Sequence, residues 1–298
     1  MADPTLLIRV GATKAGTSWM YRYLRDHEEC FVRLVKECHY FSKFKSKKLI
    51  RQLKILNRLV VQYEARLIEA EAADNIIRIV SLSLWIADTK AITMALSIDR
   101  GDDSAYLKYL QAGRMDETVL LDVTPAYALL KPAEIARISA LPIRVKLQYL
   151  MRDPLERLWS NVRMLAKRSL NEGQDFLVNC QDILQRVFYT QEETHIVTRG
   201  DHRSNIARFV AVFDRSQFQV GFAESLQDGP KFDSMCAYWG INATSARQIK
   251  PAHVGVVAPF LEALRRDALE FLKAQYDFFA DNFAELPENW RKNRELLA

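Results

Sequence analysis

The chain has 298 residues, of which 49% are hydrophobic, 27% charged and 10% aromatic. This composition is typical of a folded globular protein and excludes a disordered, collagen-like or disulfide-scaffold chain. Its 42 basic and 37 acidic residues leave a net charge of +5, which is too small to indicate general nucleic-acid binding. The same charge is compatible with a pocket that holds a small polyanion.

Four cysteines lie far apart with no CxxC pair: Cys30, Cys38, Cys180 and Cys236. This spacing favours reduced thiols and predicts neither a zinc site nor a disulfide framework. The first residues, MADPTLLIRVG, lack the basic start and long apolar run of a signal peptide. The most apolar later stretch, residues 76–87, contains Arg78 and is too short to span a bilayer. We therefore expect a soluble cytoplasmic protein with no transmembrane segment.

In chain order, the first predicted element is a strand over Leu6–Val10, followed by a glycine-containing loop and a helix over Trp19–Asp26. Further β-rich runs, each followed by a helical pattern, are Val119–Asp122, Val145–Met151 and Phe218–Phe222. A last amphipathic helical pattern covers Pro259–Phe283. Strands that alternate with helices predict an α/β fold whose mostly parallel sheet is covered by helices on both faces.

A long helical stretch separates the first two predicted strands. Its apolar residues follow steps of four and three: Leu49, Leu53, Leu56, Val60, Tyr63 and Leu67. We interpret it as an amphipathic helix that packs on its own domain, because the pattern fades after residue 70, before the heptads that a coiled coil needs. Whether the chain forms a homodimer stays open. The sequence predicts one domain over residues 1–298 with a helical insertion at about 43–115.

Residues 11–18, GATKAGTS, have the spacing of a phosphate-binding Walker A loop, or P-loop. Nucleotide kinases carry lysine directly before the hydroxyl residue, but Thr17 occupies that position here, and the lysine is three places earlier, at Lys14. The glycines let the backbone wrap around a phosphate, and amides at the start of the following helix point towards it. A plain strand–helix turn would also explain this loop, so the loop alone decides nothing.

Three further motifs occur in order along the chain: Lys36-Glu37-Cys38-His39-Tyr40-Phe41, Asp122-Val123-Thr124-Pro125-Ala126-Tyr127 and Arg152-Asp153-Pro154-Leu155-Glu156-Arg157-Leu158-Trp159-Ser160. Together with GATKAGTS, they resemble the sulfotransferases that use 3′-phosphoadenosine 5′-phosphosulfate (PAPS), above all the bacterial and glycan-modifying branch. The resemblance covers roughly residues 6–165 and continues weakly to about residue 283. It implies a P-loop-type parallel β-sheet flanked by helices. It also implies transfer of a sulfonyl group from PAPS to an acceptor, which leaves adenosine 3′,5′-bisphosphate.

The resemblance assigns residues to the donor site. Lys14 would supply a positive charge at the oxygen that bridges phosphate and sulfate, and Arg152 and Ser160 would bind the 3′-phosphate. Lys250 would close over that phosphate from a basic loop, although Pro251 stands where the family carries glycine. No metal is expected. The 5′-phosphate would lie on the P-loop residues Gly11, Thr13, Lys14, Ala15, Gly16, Thr17 and Ser18.

For the acceptor proton, the resemblance names Glu37 as the general base, a role that suits a carboxylate whose pKa is raised by partial burial. His39 is the alternative base, because a histidine needs no such shift. Lys36 could bind sulfate or an acidic acceptor, or could simply be solvated. His202 stands where relatives often carry an aromatic residue, which leaves its role open.

No motif names the acceptor. We expect a hydroxyl group, or an amine, of a glycan or small molecule, bound in a cleft built by residues 43–115 and 166–203, and we expect no nucleic-acid partner. Two other functions stay open. A P-loop kinase could use Asp122 as its magnesium ligand, although Thr17 in place of lysine speaks against ATP as the substrate. A non-catalytic nucleotide-binding protein would not need the intact set of charged residues described above.

Overall fold

Five parallel strands form one sheet in the part of the chain that the computed structural model describes, which is residues 3–42, 46–98, 101–190, 192–243, 256 and 258–297. The strands are β1 (Thr5–Gly11), β2 (Cys30–Val32), β3 (Val119–Val123), β4 (Arg144–Met151) and β5 (Phe218–Phe222). They are arranged in the order β2-β3-β1-β4-β5, and every neighbouring pair is parallel. The predicted parallel α/β fold is confirmed.

The strands are buried because their sequences are apolar on both faces. In β1, Leu6, Leu7, Ile8 and Val10 are fully buried, the continuous pattern of a parallel strand that helices cover on both sides. The four strands that the sequence predicts are present, with ends that agree within one residue. Strand β2 is not predicted, because three residues are too few to show a periodicity.

Helices flank the sheet and form an insertion between β2 and β3. The α-helices are α1 (Thr17–Arg25), α2 (Ser46–Ala72), α3 (Ile76–Ser97), α4 (Ser104–Gln111), α5 (Pro132–Ser139), α6 (Pro154–Ser169), α7 (Phe176–Gln185), α8 (Thr194–Gly200), α9 (His202–Val210), α10 (Gly229–Trp239), α11 (Arg265–Asn282) and α12 (Glu288–Glu295). Shorter segments are 3₁₀ turns at Pro125–Leu129, Ala223–Gln227 and Glu262–Leu264, and a π turn at Arg186–Thr190.

The predicted helical insertion consists of α2, α3 and α4. Helices α2 and α3 form an antiparallel hairpin, in which the rings of Tyr63 and Trp85 lie 5.9 Å apart and Lys90 pairs with Glu64 at 2.8 Å. The apolar stretch at residues 76–87 belongs to α3, whose 22 residues are long and apolar enough to cross a membrane, judged by length and composition alone. The helix therefore continues past the predicted apolar stretch, from residue 87 to Ser97. One third (33%) of its apolar window is buried inside the protein.

The C-terminal region also differs from the expectation. The sequence predicts a single packing helix over residues 259–283, whereas the structure has α11 followed by α12. Helix α12 is strongly polar and buries only Trp290, so hydrophobic periodicity provides no signal for it. The Trp290 indole donates a hydrogen bond to Oε1 of Glu224 at 2.8 Å, which fastens α12 to the segment after β5.

Candidate active site

The four sequence motifs meet at one edge of the sheet, because each lies at the carboxyl end of a parallel strand. The P-loop follows β1, the Lys36–Phe41 segment follows β2, the Asp122–Tyr127 segment spans the end of β3, and Arg152 follows β4. Hydrogen bonds join them directly: Arg152 Nη1 donates to the carbonyl oxygen of Lys14 at 3.3 Å, and Lys36 Nζ donates to Ser18 Oγ at 2.9 Å. The structure therefore brings the predicted motifs together.

The P-loop keeps its backbone close to the sheet and turns sharply into α1. A Cβ atom on Gly11 would lie 2.4 Å from the ring of Tyr149, so only glycine fits there. Gly16 caps α1 with a φ of 76°, a left-handed conformation that glycine adopts without strain. Helix α1 begins at Thr17, so the amides of Thr17 and Ser18 precede its first intrahelical hydrogen bonds. These two amides are available to bind an anion.

Two further P-loop residues fit an anion site. The Thr13 hydroxyl is buried and has no hydrogen-bond partner among the described residues. The carbonyl group of Ala15 accepts a hydrogen bond from Nη2 of Arg9. Because Arg9 is fully buried, this bond keeps one carbonyl oxygen of the loop pointing into the protein, away from a bound anion.

Arg9 is a residue that the sequence analysis misses. Besides the Ala15 carbonyl, its guanidinium group contacts Sδ of Met20 on α1 at 3.1 Å. Burial lowers the pKa of Arg9 to about 9, so the group stays charged at neutral pH and adds to the positive potential around the loop. The available signal was a charge in the middle of the apolar strand TLLIRVG, because a charge is buried only where the structure supplies partners.

Lys14 lies among other positive charges. Its Nζ atom is 4.0 Å from Sδ of Met164 on α6. Burial lowers the pKa of the Lys14 ammonium group, and the charges of Arg152, Arg163 and Arg168 lower it further. Because these cations repel one another, an anion bound among them would relieve the repulsion. The donor set fits a polyanion.

Arg152 occupies the position that the motif predicts, directly before α6. Its Nη2 atom forms an ion pair with Glu156 Oε2 at 3.3 Å, while Nη1 contacts the P-loop. The next residue, Asp153, is the N-cap of α6, where its side chain accepts a hydrogen bond from the amide of Glu156 at 2.9 Å. Ser160 is half-buried one turn after Glu156, and Met164 follows one turn later. This spacing places Ser160 on the face of α6 that meets the P-loop.

Lys36 is held at the P-loop rather than in solvent. Its Nζ atom donates to Ser18 Oγ, and the contact is partly buried. Burial lowers the pKa of its ammonium group; the charge of Glu37 opposes this shift, while those of Arg9 and Lys14 reinforce it. Of the roles left open by the sequence, the structure favours a contact close to the anion site.

Glu37 and His39 form a pair on the loop after β2. Oε2 of Glu37 lies 3.4 Å from Nε2 of His39, and Nδ1 of His39 lies 2.9 Å from Oγ of Ser42. Both residues have positive φ angles, 64° for Glu37 and 55° for His39, and Lys14 has one of 71°. Residues other than glycine rarely adopt this conformation, which is concentrated at functional sites. The three candidate catalytic residues share this strain.

The electrostatic environment of Glu37 differs from the expectation. Burial raises the pKa of its carboxyl group, but the hydrogen bond and charge of His39, with the charges of Lys36 and Arg199, outweigh burial and leave the pKa below its ordinary value. The expected raised pKa was therefore wrong, because the hydrogen bond from His39 and the positive charges of Lys36 and of Arg199 on α8 stabilise the ionised carboxylate. Glu37 is ionised at neutral pH, the state that a base requires, but the low pKa makes it a weaker base.

Asp122 is buried at the end of β3 and surrounded by donors. Tyr106 and Tyr127 donate to its Oδ2 atom at 2.8 and 3.0 Å, and Thr124 donates to Oδ1 at 2.6 Å. Burial and the charge of this carboxylate raise the pKa of the Cys38 thiol, on the loop after β2. Three donors occupy most of the roughly four acceptor sites of this buried carboxylate, so Asp122 is poorly placed to bind a magnesium ion. Within the described ranges, no group of three or more His, Cys, Asp or Glu could hold a metal.

Two other predicted residues lie outside this cluster. His202 is fully buried beside β4, where its Nδ1 atom is 2.8 Å from the hydroxyl of Tyr149. Burial lowers the pKa of His202 to about 3, and the charge of Arg157 acts in the same direction. His202 therefore stays neutral and supports the strand rather than carrying a proton. Lys250 and Pro251 lie outside the described residues.

The arrangement of strands and helices in this chain is similar to that in a protein of known structure. Neither a protein-family model nor a curated protein sequence matches the chain. Among solved structures, the crystal structure of a sulfotransferase from Alicyclobacillus acidocaldarius is similar over 98% of this chain and 100% of its own, with a TM-score of 0.57 and 21% sequence identity. The chain has the sulfotransferase fold.

Two sulfotransferase domains are less similar in structure. The domain from the curacin biosynthetic pathway covers 99% of this chain and 98% of its own, at a TM-score of 0.49 and 15% identity. The domain from the Synechococcus PCC 7002 olefin synthase is similar over 96% of this chain and 98% of its own length, with a TM-score of 0.47 and 14% sequence identity. The predicted P-loop-type parallel sheet flanked by helices is confirmed as a sulfotransferase fold by the Alicyclobacillus structure.

Replacing Asp122 with asparagine should destabilise the sulfotransferase fold around the site. The new amide group would set a donor against a tyrosine or threonine hydroxyl, so at least one hydrogen bond to a charged acceptor is lost, which is worth about 1.5–3 kcal/mol. Chemical denaturation measures the free energy of unfolding, and Asp116→Asn, at an exposed position, is the matched control. An unfolding free energy equal to that of the wild type would contradict the role of Asp122 as an anchor.

Proposed function

We propose that the protein is a sulfotransferase that moves a sulfonyl group from PAPS to a hydroxyl group, or an amine, of a glycan or small-molecule acceptor. One observation carries the proposal. On a sulfotransferase fold, Lys36 and Arg152 contact a P-loop that contains Lys14, and Glu37 lies beside Lys36. An anionic donor needs fixed cations where charge develops, and a hydroxyl acceptor needs a base.

Support for PAPS as the donor comes from the chemistry of the binding groups. The amides of Thr17 and Ser18 at the start of α1 suit the 5′-phosphate, as does the Thr13 hydroxyl, which has no hydrogen-bond partner in the described part of the chain. Arg152 would bind the 3′-phosphate together with Ser160. Its present partner, Glu156, is about half exposed, and an exposed ion pair is weak. Arg152 can therefore exchange this carboxylate for a phosphate. Lys250 is proposed as a further contact to the 3′-phosphate.

Lys14 would act in the transfer itself. The acceptor oxygen forms a bond to sulfur while the bond from sulfur to the bridging oxygen breaks, so negative charge grows on the leaving bisphosphate. A cation fixed at that oxygen stabilises the transition state more than the ground state. Lys14 suits this task because the P-loop holds it among Arg152, Arg163 and Arg168, in a region of positive potential.

Glu37 would take the proton of the acceptor hydroxyl as the new bond forms. Its carboxylate is ionised at neutral pH, and His39 engages Oε2 at 3.4 Å, which leaves Oε1 to receive an acceptor proton. The pairing fixes the carboxylate in one orientation, at the expense of its basicity. His39 stays the alternative base, since it belongs to the same pair.

A kinase reaction is less well supported. Thr17 replaces the lysine of kinases, and protein donors occupy three of the roughly four acceptor sites of Asp122. The rise in melting temperature on adding adenosine 3′,5′-bisphosphate, or ATP with magnesium, separates the donors, because a ligand of the native state stabilises it by mass action. We expect the bisphosphate to have the larger effect. A larger effect of ATP with magnesium would favour the kinase, and binding without turnover would favour a non-catalytic protein.

We further propose a cytoplasmic location and an acceptor that is not a nucleic acid. The cysteines Cys30, Cys38, Cys180 and Cys236 are all free and buried, which fits a reducing compartment. Phenols, glycolipids and oligosaccharides, screened with a radiolabelled sulfate donor, would identify the acceptor. Labelling of a nucleic acid instead would contradict this assignment.

Lys14→Ala should lower turnover far more than it weakens binding of adenosine 3′,5′-bisphosphate, because the charge that Lys14 meets grows mainly in the transition state. Steady-state kinetics gives kcat, and calorimetry gives the affinity for the bisphosphate. Lys167→Ala, at an exposed lysine of α6, is the control and should leave both unchanged. If bisphosphate affinity collapses while turnover at saturation survives, Lys14 is only a binding residue.

Arg152→Ala should raise the KM for PAPS by about 10- to 150-fold, the factor that corresponds to about 1.5–3 kcal/mol for a hydrogen bond to a charged group. Adenosine 5′-phosphosulfate, which lacks the 3′-phosphate, is the control ligand and should bind equally to the variant and the wild type. A variant that still distinguishes the two nucleotides as the wild type does would exclude Arg152 from the 3′-phosphate site.

Glu37→Gln should keep donor affinity and lose roughly 10²–10⁴-fold in rate on an acceptor with a high-pKa hydroxyl, the usual contribution of general-base catalysis. The acidic limb of the pH–rate profile should disappear with the carboxylate. In the wild type this limb should fall below the ordinary range of a glutamate, because the surrounding cations keep the base form down to lower pH.

His39→Ala tests which residue of the Glu37–His39 pair is the base. Removing His39 takes away the hydrogen bond and the charge that lower the pKa of Glu37, so the acidic limb should persist and move to higher pH. The pH dependence of kcat/KM measures both effects. If Glu37→Gln stays active on such an acceptor while His39→Ala is inactive, His39 is the base.

A further inference from the structure

Helix α3 is apolar on two opposite faces, and one of them is uncovered. Its inner face, which includes Leu82 and Ile86, packs inside the protein. On the outer face, Ile77 is 84% exposed and Met94 is 66% exposed. Residues 50–98 hold ten of the 21 exposed large hydrophobic side chains in the described part of the chain. A helix that is apolar all round is normally covered on all sides, so the outer face indicates a partner.

The outer face of α3 has the spacing of a coiled-coil seam. Its residues, which we call the outer seam, repeat in steps of three and four: Ile77, Val80, Leu84, Ala87, Ala91 and Met94. All of them are exposed except Ala91, which is partly buried. Such steps average 3.5 residues and mark the side of a helix that packs against another helix. No charged residue occupies any of these positions. The partner is therefore expected to present a helix rather than an irregular surface.

Helix α2 widens this apolar surface. Val61 on α2 and Met94 on α3 line one groove between the two helices, so both side chains face the same way. Val61 is 64% exposed, and Ile68, two turns further along α2, is 67% exposed. Glu64 and Lys90 line the same groove and pair with each other at 2.8 Å. The hairpin thus offers a two-helix surface on which apolar side chains flank an ion pair, and this surface suits another helical hairpin.

The charges of α2 indicate that the partner hairpin belongs to a second copy of this chain. Residues 46–58 carry no acidic side chain and five basic ones: Lys47, Lys48, Arg51, Lys54 and Arg58. Residues 64–74, at the other end, carry one basic side chain, Arg66, and four acidic ones: Glu64, Glu69, Glu71 and Asp74. Glu64 pairs with Lys90 of the same hairpin, so the acidic excess lies at Glu69, Glu71 and Asp74. An antiparallel two-fold pair of hairpins sets the acidic end of each copy against the basic end of the other. A second copy of this chain is therefore complementary in charge as well as in apolar pattern.

A bilayer is a poorer partner for α3. Asp88, in the middle of the helix, is 5% exposed and pairs with Arg33. It also accepts hydrogen bonds from the amide of Val35 at 2.7 Å and from the hydroxyl of Tyr109 at 3.3 Å. Insertion of α3 across a membrane would break these contacts and carry the carboxylate into hydrocarbon.

We propose that the protein forms a homodimer in which the α2–α3 hairpins of two copies pack antiparallel through their outer seams. Ala87 and Ala91 lie near the two-fold axis, where small side chains let the helices approach closely. Leu84 of each copy packs on Met94 of the other. On α2, the same axis sets the basic end of one copy against the acidic end of the other.

Val80→Glu should convert the dimer to a monomer. Val80 is 54% exposed in the outer seam, so a folded monomer accommodates a glutamate there, whereas two facing seams do not. Val178→Glu is the matched control, because Val178 is 52% exposed on α7, away from the seam. Size-exclusion chromatography with light scattering should give twice the 34.4 kDa chain mass for the wild type and Val178→Glu, and 34.4 kDa for Val80→Glu. Circular dichroism reports whether each variant is folded.

Cross-linking with a short thiol reagent tests the orientation independently of that variant. The four native cysteines are buried, so introduced thiols react selectively. With the axis near residue 89, the two copies of Ala87→Cys are offset by about 6 Å along the helices, and those of Ile77→Cys by about 36 Å. We expect a covalent dimer from Ala87→Cys only.

Four results would overturn the proposal. A wild-type protein that is monomeric at every concentration tested would exclude the dimer. A dimer that survives Val80→Glu, or in which both cysteine variants cross-link, would place the interface elsewhere or make it parallel. Co-sedimentation of a monomeric wild type with vesicles of phosphatidylcholine and phosphatidylserine would identify the outer seam as a lipid-binding surface instead.

Discussion

The buried carboxylate of Asp122 is the interaction on which the rest of the site depends. It accepts hydrogen bonds from Tyr106 on α4 and from Thr124 and Tyr127 after β3. The Tyr127 hydroxyl in turn accepts a hydrogen bond at 3.5 Å from the amide of Phe41, on the loop that carries the candidate base. One group thus joins the sheet, the helical insertion and the catalytic loop. Because a buried charged acceptor is tolerated only when donors surround it, these segments cannot separate without leaving it unpaired. In the sequence, an aspartate at the end of a strand is a candidate metal ligand. In the structure, Asp122 instead holds the segments of the site together.

The positive charges around the P-loop are a second constraint, because the protein does not neutralise them fully. Lys14 lies among arginines, Lys36 bonds to a hydroxyl group and Arg9 bonds to a carbonyl group. Arg152 has an acidic partner, Glu156, in a partly exposed pair that contributes little. Folding therefore holds cations close together against their mutual repulsion, and an anionic ligand would complete the arrangement. A proposed donor with two phosphate groups and a sulfate matches that need.

Local patterns predict much of this structure, and long-range contacts decide the rest. An apolar run before a glycine loop is enough to place β1, the P-loop and α1, because each signal lies within a few adjacent residues. Local patterns do not predict the pKa of Glu37. His39 and Lys36 are its neighbours on the loop, but Arg199 comes from α8, and no local pattern places Arg199 there. Arg9 escapes prediction for a similar reason, since only the packed structure shows what surrounds a charge inside a strand.

Helix α3 connects the outside of the molecule to the catalytic loop. Asp88 on its inner face accepts a hydrogen bond from the amide of Val35, directly before Lys36 and Glu37, and pairs with Arg33. Successive residues of a helix differ by about 100° around its axis, so a rotation of α3 by one position would pull this carboxylate out of its contacts. The two apolar faces therefore cannot exchange places. Asp88 fixes which face packs on the loop, and by doing so it also fixes the direction in which the outer seam points.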